Sequence, residues 1–356
     1  MQTRHRVLLG SAVNIDLPSD SVNLVVTSPP YPMIEMWDQS FSDQDPQVAH
    51  HLAKADGPAA FDAMHRLLDQ VWRECHRVLR VGGFACVNIG DATRSVFGQF
   101  RLYTNHARII GACEALGFQS LPAIIWRKQT NAPNKFMGSG MLPAGAYVTL
   151  EHEYVLILRK GGKRIFVHDD RERRSRSAFF WEERNTWFSD LWDFKGVQQR
   201  LGSNEARSRS GAFPFELAFR LICMYSVQGD LVLDPFLGTG TTIAAALACA
   251  RDSVGVEADE GLIPVIAATI EAGAALGNER QLARLRSHEE FVRRYRTEKD
   301  REPGHTNVAY GFPVVTRQEV GLVLPGLTST RREGELEWFA GHETLYDRGE
   351  PQLDLF

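Results

Sequence analysis

Short apolar runs alternate with helical patterns along most of this 356-residue chain. The apolar runs predict strands at residues 6–9, 22–26, 84–89, 120–126, 153–158, 231–233 and 253–256. Apolar residues at helical spacing predict helices at residues 61–79, 104–116, 215–225, 241–250 and 262–276. Strands that alternate with helices of this length form a mostly parallel sheet covered on both faces. The sequence therefore predicts an α/β fold.

Composition excludes several other classes of protein. A net charge of -4 argues against a protein that coats nucleic acid regardless of sequence. The five cysteines are scattered and form no CxxC pair, which indicates reduced thiols and no zinc site. The apolar stretch near the N-terminus is too short for a signal peptide, and no apolar run approaches the ~20 residues that span a bilayer. We expect a soluble, cytoplasmic protein with no metal site and no membrane partner.

Three segments interrupt the alternation, and the tail differs from the rest. Residues 38–58 are polar without a clear period, and residues 127–147 resemble a long loop. Residues 159–204 combine basic and aromatic residues, with nine Lys/Arg and five Asp/Glu between 159 and 184. The tail from residue 280 is mostly charged, and we expect residues 326–356 to be loosely ordered or accessory.

The sequence Thr27-Ser28-Pro29-Pro30-Tyr31 directly follows the apolar run at 22–26. Two consecutive prolines cannot continue a ladder of backbone hydrogen bonds, so the strand must end here. For Pro-Pro alone, the simplest interpretation is a strand terminator followed by an exposed tyrosine.

A second motif spans residues 231–242, where a strand, an acid, a glycine turn and a helix start follow one another. Gly238 and Gly240 let the backbone approach a ligand closely. Glu257 ends the next strand, at the position where an acid binds a ribose diol in dinucleotide folds. Asp234 at the glycine turn would repel a pyrophosphate. It suits a cationic ligand instead, such as the ammonium end of S-adenosyl-L-methionine.

Together the two motifs, at residues 27–31 and 234–241, resemble those of the DNA amino-methyltransferases. These enzymes methylate exocyclic nitrogens with S-adenosyl-L-methionine. The catalytic motif precedes the cofactor motif, which resembles the permuted β class. Residues 78–83, 88–91 and 213–217 are also similar to this family, and the resemblance covers roughly residues 6–277. It implies a Rossmann-like S-adenosylmethionine-dependent methyltransferase fold with permuted motif order and a small DNA-recognition insertion.

The resemblance also implies roles for individual residues. The catalytic residues would be Ser28, Pro29, Pro30 and Tyr31. The cofactor would contact Ser11, Phe213, Pro214, Asp234, Pro235, Phe236, Gly238, Gly240, Thr241 and Glu257. The family usually has Gly-Asp where this chain has Gly10-Ser11. Either the Ser11 hydroxyl or Asp259 would then meet the adenine amino group.

The chemistry explains the Pro-Pro-Tyr motif. An aromatic exocyclic amine is a poor nucleophile because its lone pair is delocalised into the ring. Ser28 Oγ and the Pro29 carbonyl would accept hydrogen bonds from its two hydrogens, and the prolines would hold that carbonyl rigidly. Tyr31 would stack on the base, which must leave the duplex to react.

The expected partner is double-stranded DNA, and the resemblance allows a cognate restriction endonuclease that acts on the same site. We expect DNA contacts from Arg171, Arg173, Arg174, Arg176 and Lys135. Aromatic residues between 179 and 192 favour a DNA-recognition subdomain in the same segment. The predicted division is 1–158 for the catalytic half, 159–204 for target recognition, 205–279 for the cofactor half and 280–356 for a C-terminal accessory segment.

Three hypotheses about the substrate remain open. The family more often has Asp before Pro-Pro-Tyr in adenine-N6 enzymes and Ser in cytosine-N4 enzymes, so Ser28 favours cytosine N4. Adenine N6 is the alternative. A protein-glutamine methyltransferase or an inactive nucleic-acid-binding protein is more remote. The glutamine enzymes have Asn before Pro-Pro and place the cofactor motif first, and an inactive protein would have lost part of the acceptor set.

Overall fold

The structure is a computed structural model that describes residues 1–128, 137–138, 142–195 and 213–346. Its strands are β1 Gln2–Leu9, β2 Val22–Thr27, β3 Leu79–Ile89, β4 Ala92–Val96, β5 Gln99–Tyr103, β6 Phe118–Arg127, β7 Met137–Gly138, β8 Ala146–Tyr147, β9 His152–Lys160, β10 Leu191–Asp193, β11 Leu231–Asp234, β12 Asp252–Glu257, β13 His305–Thr306, β14 Pro313–Val314, β15 Pro325–Arg332 and β16 Glu337–Thr344. Its α-helices are α1 Asp38–Gln44, α2 Pro46–Ala53, α3 Gly57–Val78, α4 Asn105–Ala115, α5 Asp169–Arg176, α6 Trp181–Trp187, α7 Phe215–Tyr225, α8 Thr241–Ala248 and α9 Ile263–Lys299.

Ten of these strands form one sheet in the order β10-β6-β9-β3-β2-β11-β12-β1-β16-β15. The five central strands, from β3 to β1, are all parallel to one another. Antiparallel pairs flank them, β9 against β3 on one side and β16 against β1 on the other. We call the edge where the five central strands end the carboxyl edge, and the opposite edge the amino edge. The predicted α/β fold with a mostly parallel sheet is confirmed.

The central strands are buried on both faces. In β2, Val25 packs into the cluster formed with α3 and α4, whereas Leu24 and Val26 pack into the cluster formed with α7 and α8. Every residue of β2 is buried. This two-sided burial explains why the strand is a continuous apolar run rather than an alternating one.

Two local features of the N-terminal half do not follow from the sequence patterns. The helix predicted at residues 61–79 is α3, which ends at Val78, but the next strand begins at Leu79 and includes Gly82 and Gly83. A Cβ on Gly83 would come 2.8 Å from the Asn23 backbone oxygen, so glycine is required there by the close approach of β2. Residues 38–58, predicted without regular structure, contain α1 and α2. Both helices are short, and each buries only one residue, which leaves little periodic signal.

The C-terminal prediction also needs correction. Helix α9 continues to Lys299, so the predicted boundary at 279/280 falls inside one helix. Within residues 326–346, expected to be loosely ordered, β15 and β16 extend the main sheet. Trp338, Ala340 and His342 are buried alternately along β16, a period-two pattern typical of a strand. By length and composition alone, the helical stretch Glu260–Lys299 could cross a membrane. Its buried Ile263, Ile266 and Ile270 pack in a core cluster with Trp338, as in a core helix.

Candidate active site

The carboxyl edge gathers the predicted catalytic and cofactor motifs. Because the five central strands are parallel and adjacent, the residues that follow them meet at one edge. Ser11 follows β1, Ser28 follows β2 and Gly90 follows β3, while Asp234 and Glu257 are the last residues of β11 and β12. The sheet order places the catalytic loop after β2 directly beside the glycine turn after β11.

Asn105, at the start of α4, fixes the catalytic loop, which is the segment 28–32 that follows β2. This buried side chain donates to the Pro32 carbonyl at 3.1 Å and to the Gly90 carbonyl at 3.0 Å. Its own oxygen lies 3.0 Å from His65 Nε2. A single amide therefore ties the loop after β2 to the loop after β3. Pro29 is buried, and Ser28, Pro30 and Tyr31 are half-buried.

Tyr31 lies at the centre of a polar network rather than standing exposed, as the motif alone predicted. Its hydroxyl accepts from Ser28 Oγ at 3.2 Å and from Asn88 Nδ2 at 2.9 Å, and it donates to Glu153 Oε2 at 3.0 Å. Burial, and after it the carboxylate of Glu153, raises the pKa of the Tyr31 phenol well above its ordinary value. The ring packs against Gly90, where a Cβ would approach Tyr31 Cε2 to 3.0 Å.

Three members of this network were missed by sequence reasoning. Asn88 Nδ2 also donates to Glu153 Oε2 at 2.6 Å, and Lys128 forms an ion pair with Glu153. Glu153 is 8% exposed and lies in β9 two residues before the buried apolar run at 155–158. An acid at the start of an apolar run was the signal that the sequence offered. Its partner could not be identified, because β9 reaches Asn88 only through antiparallel pairing with β3.

Asp234 is buried, with both carboxylate oxygens occupied by protein donors. Oδ1 accepts from Thr27 Oγ1 at 2.6 Å and from the Phe236 backbone N–H at 3.0 Å, and Oδ2 accepts from Thr242 Oγ1 at 2.6 Å. Burial raises the pKa of Asp234 to about 6. The carboxylate therefore joins β2 to the start of α8, and its charge is not neutralised by any ion pair among the described residues.

Glu257 folds back onto the glycine turn. Its Oε2 accepts from Gly238 N–H at 2.8 Å and its Oε1 from Asp259 N–H at 2.8 Å. Burial raises the pKa of this half-buried side chain. The Gly10 N–H donates to the Glu257 carbonyl at 2.8 Å, so exposed Ser11 lies close to the same acid. Both candidates for an adenine contact make local hydrogen bonds: Ser11 Oγ accepts from Val13 N–H at 3.5 Å, and Asp259 Oδ1 accepts from Gly261 N–H at 2.9 Å.

The glycines at this edge leave room for a ligand. Gly10 and Gly238 have positive φ angles of 136° and 56°. A Cβ on Gly10 would meet no atom within 4 Å, and a Cβ on Gly238 would meet only the Phe236 carbonyl at 4.0 Å. Open space therefore lies over both glycines, bordered by Glu257. These features fit a cofactor that carries a ribose and a positive charge.

The remaining predicted cofactor residues frame this space. Phe213 is buried in the cluster around α7, and Pro214 is the residue that caps α7. Buried Pro235 and half-buried Phe236 follow Asp234, and the Phe236 ring lies edge-on to Trp72 with centroids 6.1 Å apart. Gly240, with φ of 90°, starts α8, and half-buried Thr241 is its first residue.

The arginines predicted to contact DNA do not lie beside the catalytic loop. Arg171, Arg173, Arg174 and Arg176 lie on α5, which packs near Gln228 and Gly229 at the amino edge. Asn23, the second residue of β2, lies at that edge, five residues from Ser28, a separation of roughly 16 Å along a strand. This placement removes the geometric support for a contact between these arginines and DNA at Ser28. Lys135 lies outside the described residues.

The aromatic residues of the same segment are mostly core residues. Phe180, Trp187 and Trp192 are almost completely buried. Phe180 stacks on His288 of α9 with centroids 4.1 Å apart, and Glu183 pairs with Arg284 at 2.6 Å. The described part of residues 159–204 is thus joined to the C-terminal helix by ring stacking and ion pairs. Aromatic enrichment here reflects packing, which sequence alone did not distinguish from nucleic-acid binding.

Comparison with known proteins agrees with the site. The family model described as DNA methylase matches residues 22–268. The chain belongs to the DNA amino-methyltransferases of the N4-cytosine/N6-adenine family. It is 48% identical over 345 residues to the Type II methyltransferase M.MthZI of Methanothermobacter thermautotrophicus, which covers 95% of this chain and 96% of that protein. It is 47% identical over 276 residues to M.MjaI of Methanocaldococcus jannaschii, with 74% and 90% covered.

Solved structures of this family are also similar to the chain. A Thermus thermophilus protein assigned as a DNA modification methylase, complexed with S-adenosyl-L-methionine, is 32% identical with a TM-score of 0.59 and covers 76% of this chain and 94% of that one. The cytosine-N4-specific PvuII methyltransferase shares the fold at 16% identity, with a TM-score of 0.50 and 78% and 92% covered. S-adenosyl-L-methionine is the cofactor of this DNA amino-methyltransferase.

Proposed function

We propose that this DNA amino-methyltransferase transfers a methyl group to the exocyclic N4 of a cytosine that has left the DNA duplex. The observation that carries the proposal is the neutral hydroxyl of Ser28, placed before Pro-Pro-Tyr and bonded to Tyr31. The resemblance associates serine at this position more often with cytosine-N4 enzymes and aspartate with adenine-N6 enzymes. A hydroxyl is also a weaker acceptor than a carboxylate, so the two residue types act differently on the amine.

The network prepares Ser28 to accept a hydrogen bond. The Ser28 hydroxyl donates its hydrogen to Tyr31 Oη, which in turn donates to Glu153. A hydroxyl that already donates to a fixed partner presents its lone pairs to the opposite side. Ser28 Oγ and the Pro29 carbonyl then accept from the two N–H groups of the amine and hold its nitrogen in line with the methyl donor.

The same contacts provide a path for the proton that the amine must lose. As the new N–C bond forms, one N–H proton passes to Ser28 Oγ, the Ser28 proton passes to Tyr31 Oη and the Tyr31 proton passes to Glu153. The second and third transfers follow hydrogen bonds present in the structure, at 3.2 Å and 3.0 Å. Lys128 pairs with the other oxygen of Glu153 and holds the carboxylate toward Tyr31.

S-adenosyl-L-methionine, when bound, supplies the electrophilic methyl group. Glu257 would accept hydrogen bonds from its ribose hydroxyls, exchanging the contact with Gly238 N–H that it makes here. Asp234 would act through its charge rather than by direct contact, because both its oxygens are engaged within the protein. A buried, unneutralised carboxylate favours a cationic ligand nearby.

Tyr31 would contribute to base binding through the ring face that Gly90 does not cover. Extrusion of a base costs a few kcal/mol, and stacking on an aromatic ring returns about 1–3 kcal/mol. Because its hydroxyl is fixed by Ser28, Asn88 and Glu153, the ring loses little conformational entropy on binding.

The product test is direct. Unmethylated DNA is incubated with the protein and S-adenosyl-L-methionine carrying a deuterated methyl group, and the DNA is digested to nucleosides. Mass spectrometry should detect the label in N4-methyl-2′-deoxycytidine. Label in N6-methyl-2′-deoxyadenosine would refute cytosine as the target and assign the adenine branch of the family. Absence of label from every nucleoside would refute DNA methylation altogether.

We further propose a partner in function, a restriction endonuclease that cuts the same DNA site. The support is the name Type II methyltransferase carried by M.MthZI and M.MjaI. Plasmid DNA methylated by this protein should resist cleavage by restriction endonucleases that recognise one DNA sequence and remain sensitive to those that recognise others. If fully methylated plasmid is cleaved by every restriction endonuclease tested, the proposed endonuclease partner is contradicted.

A further inference from the structure

A large cavity lies at the amino edge of the sheet, opposite the carboxyl edge that holds the catalytic loop. It measures about 1320 Å³ and is bordered by the first residues of β2 and β3, by residues 164–188 and by the end of α7. Its lining includes Asn23 and Phe84, whereas the catalytic motif follows the far ends of the same strands. The cavity therefore does not belong to the S-adenosyl-L-methionine site.

The charge of this cavity is strongly positive. Six arginines and one aspartate line it: Arg80, Arg164, Arg171, Arg173, Arg174, Arg184 and Asp170. Arg164 pairs with Asp230 and Arg173 pairs with Asp170. The other four arginines form no ion pair within the described part of the chain. Arg80 and Arg171 donate only to backbone carbonyls, of Asp20 and Phe166. In a chain whose net charge is -4, four guanidinium groups without a carboxylate partner around one cavity indicate an anionic ligand.

The cavity also has aromatic walls. Phe84 and Tyr225 lie with ring centroids 4.8 Å apart, and Phe188 approaches Tyr225 with centroids 6.5 Å apart. Phe188 is 40% exposed, as is Trp181 at the rim. The Arg184 guanidinium lies over the Phe188 ring, 5.6 Å from its centroid, so a base would stack on the part of the ring that Arg184 leaves exposed. Phe166 lies between two guanidinium groups, 4.5 Å from that of Arg164 and 4.7 Å from that of Arg174.

Arginines combined with accessible rings match the two parts of a nucleotide. Guanidinium groups bind phosphate through paired N–H donors, and aromatic rings stack on bases. A simple anion would use the arginines but not the rings. We propose that this cavity binds nucleotide units by pairing phosphate with Arg80 and Arg184 and stacking a base on Phe188. The units come either from a free nucleotide or from a strand of nucleic acid that contacts the amino edge.

The test uses probes that cannot react at the catalytic loop. Thymine has no exocyclic amine, so a single-stranded oligothymidylate of twelve residues is not a substrate. Saturating S-adenosylhomocysteine fills the cofactor site, so that a free nucleotide cannot bind there. Calorimetry then measures binding of oligothymidylate and of thymidine monophosphate to the full-length protein. Equal affinity would assign a free nucleotide, and binding of the oligonucleotide alone would assign a nucleic-acid strand.

Two variants test phosphate binding and base stacking separately. Arg80→Gln/Arg184→Gln should weaken binding about tenfold or more and flatten its salt dependence, because phosphate contacts are lost. Phe188→Leu should weaken oligothymidylate binding about fivefold or more without changing the salt slope. Arg293→Gln/Arg294→Gln removes the same charge from an exposed part of α9 and should bind as the wild type does.

Several results would overturn the proposal. If neither oligothymidylate nor thymidine monophosphate binds in the presence of S-adenosylhomocysteine, the cavity does not bind nucleotides. Equal losses in the cavity variant and the α9 control would reduce the effect to net charge. If inorganic triphosphate binds as tightly as the nucleotide and Phe188→Leu does not change the affinity, the cavity binds phosphate but not the base. Circular dichroism checks that each variant is folded. The identity of the methylated base is measured separately, so either proposal can fail without the other.

Discussion

Two buried aspartates stand at opposite ends of the same strand, and they differ in how their charge is balanced. Asp230, directly before β11 at the amino edge, is 2% exposed and receives two hydrogen bonds from Arg164, at 2.5 and 3.0 Å. Asp234, at the carboxyl edge, is 1% exposed and receives hydrogen bonds only from neutral groups. The amino edge balances its buried acid internally, whereas the carboxyl edge leaves a negative charge available to a cationic ligand.

The comparison extends to neighbouring strands. The carboxyl edge presents hydroxyls, acids and glycine turns with open space above them, and its polar network lies beside the catalytic loop. The amino edge presents arginines and aromatic rings. If catalysis and cofactor binding occur at the carboxyl edge alone, substitutions at the two ends of one strand should differ in their effects on turnover, stability or cofactor affinity.

The largest effect is expected in β2. Ser28→Ala removes the acceptor that acts on the amine, and kcat should fall about 10²–10³-fold with S-adenosyl-L-methionine affinity unchanged. Ser21 directly precedes β2, and its hydroxyl donates to the Pro18 carbonyl, so Ser21→Ala should keep full turnover. Single-turnover kinetics and calorimetry measure the two quantities. Full turnover in Ser28→Ala would refute the acceptor role.

The two aspartates themselves give the next prediction, which concerns stability. Asp230→Asn leaves Arg164 without its carboxylate and should lower the free energy of unfolding by about 3 kcal/mol at pH 7. Asp234→Asn should cost little at pH 7, since a neutral amide can bond to Thr27 and Thr242 without a buried charge. Urea denaturation compares the variants. If the two variants lose the same free energy of unfolding, the charges of Asp230 and Asp234 are not balanced differently.

The pH dependence of Asp234 follows in sign from its raised pKa. Burial raises the pKa from 3.8 to about 6, so the folded state binds the proton more tightly than the unfolded state. Relative to Asp234→Asn, the wild type should therefore lose stability as the pH rises from about 4 to about 6, by up to about 3 kcal/mol. A constant difference over this range would contradict the raised pKa.

A smaller effect is expected in β12. Glu257→Ala should weaken S-adenosyl-L-methionine binding by about 1.5–3 kcal/mol, the contribution of a hydrogen bond to a charged group. Asp252, at the start of β12, accepts from the Arg4 backbone N–H and should leave cofactor affinity unchanged when replaced by alanine. Isothermal titration distinguishes them. Unchanged affinity in Glu257→Ala would remove the ribose assignment.

The smallest effect is expected at Glu153 in β9. Glu153→Gln keeps the shape of the side chain but removes the negative charge that receives the Tyr31 proton and pairs with Lys128. We expect kcat to fall on the order of tenfold, because Tyr31 and Ser28 lose alignment and the proton path ends at a neutral group. Arg159→Gln, toward the other end of β9, is the matched control. If the pH profile of kcat is the same in Glu153→Gln, Glu153 only supports the fold.

Sequence by itself determined the features that depend on neighbouring residues. The alternation of strands and helices gave the α/β fold, and the two motifs gave Ser28, Asp234, Glu257 and the glycine turn, because each follows directly from a strand end. Parallel strands then bring those ends to one edge as a matter of geometry. The limits of α3, α4 and α7 were predicted to within a few residues, since their periodicity is strong, whereas α9 continues more than 20 residues beyond its predicted end.

Tertiary structure alone decided what depends on pairing between distant segments. Glu153 reaches Tyr31 only because β9 pairs with β3, and β16 joins the sheet only by pairing with β1, more than 300 residues earlier. The arginines of α5 look the same in sequence whichever edge they occupy, and the rings of Phe180 and Trp187 look the same whether they stack on bases or on a helix. Composition records which groups are present, whereas burial and partners depend on chain topology, which local patterns do not contain.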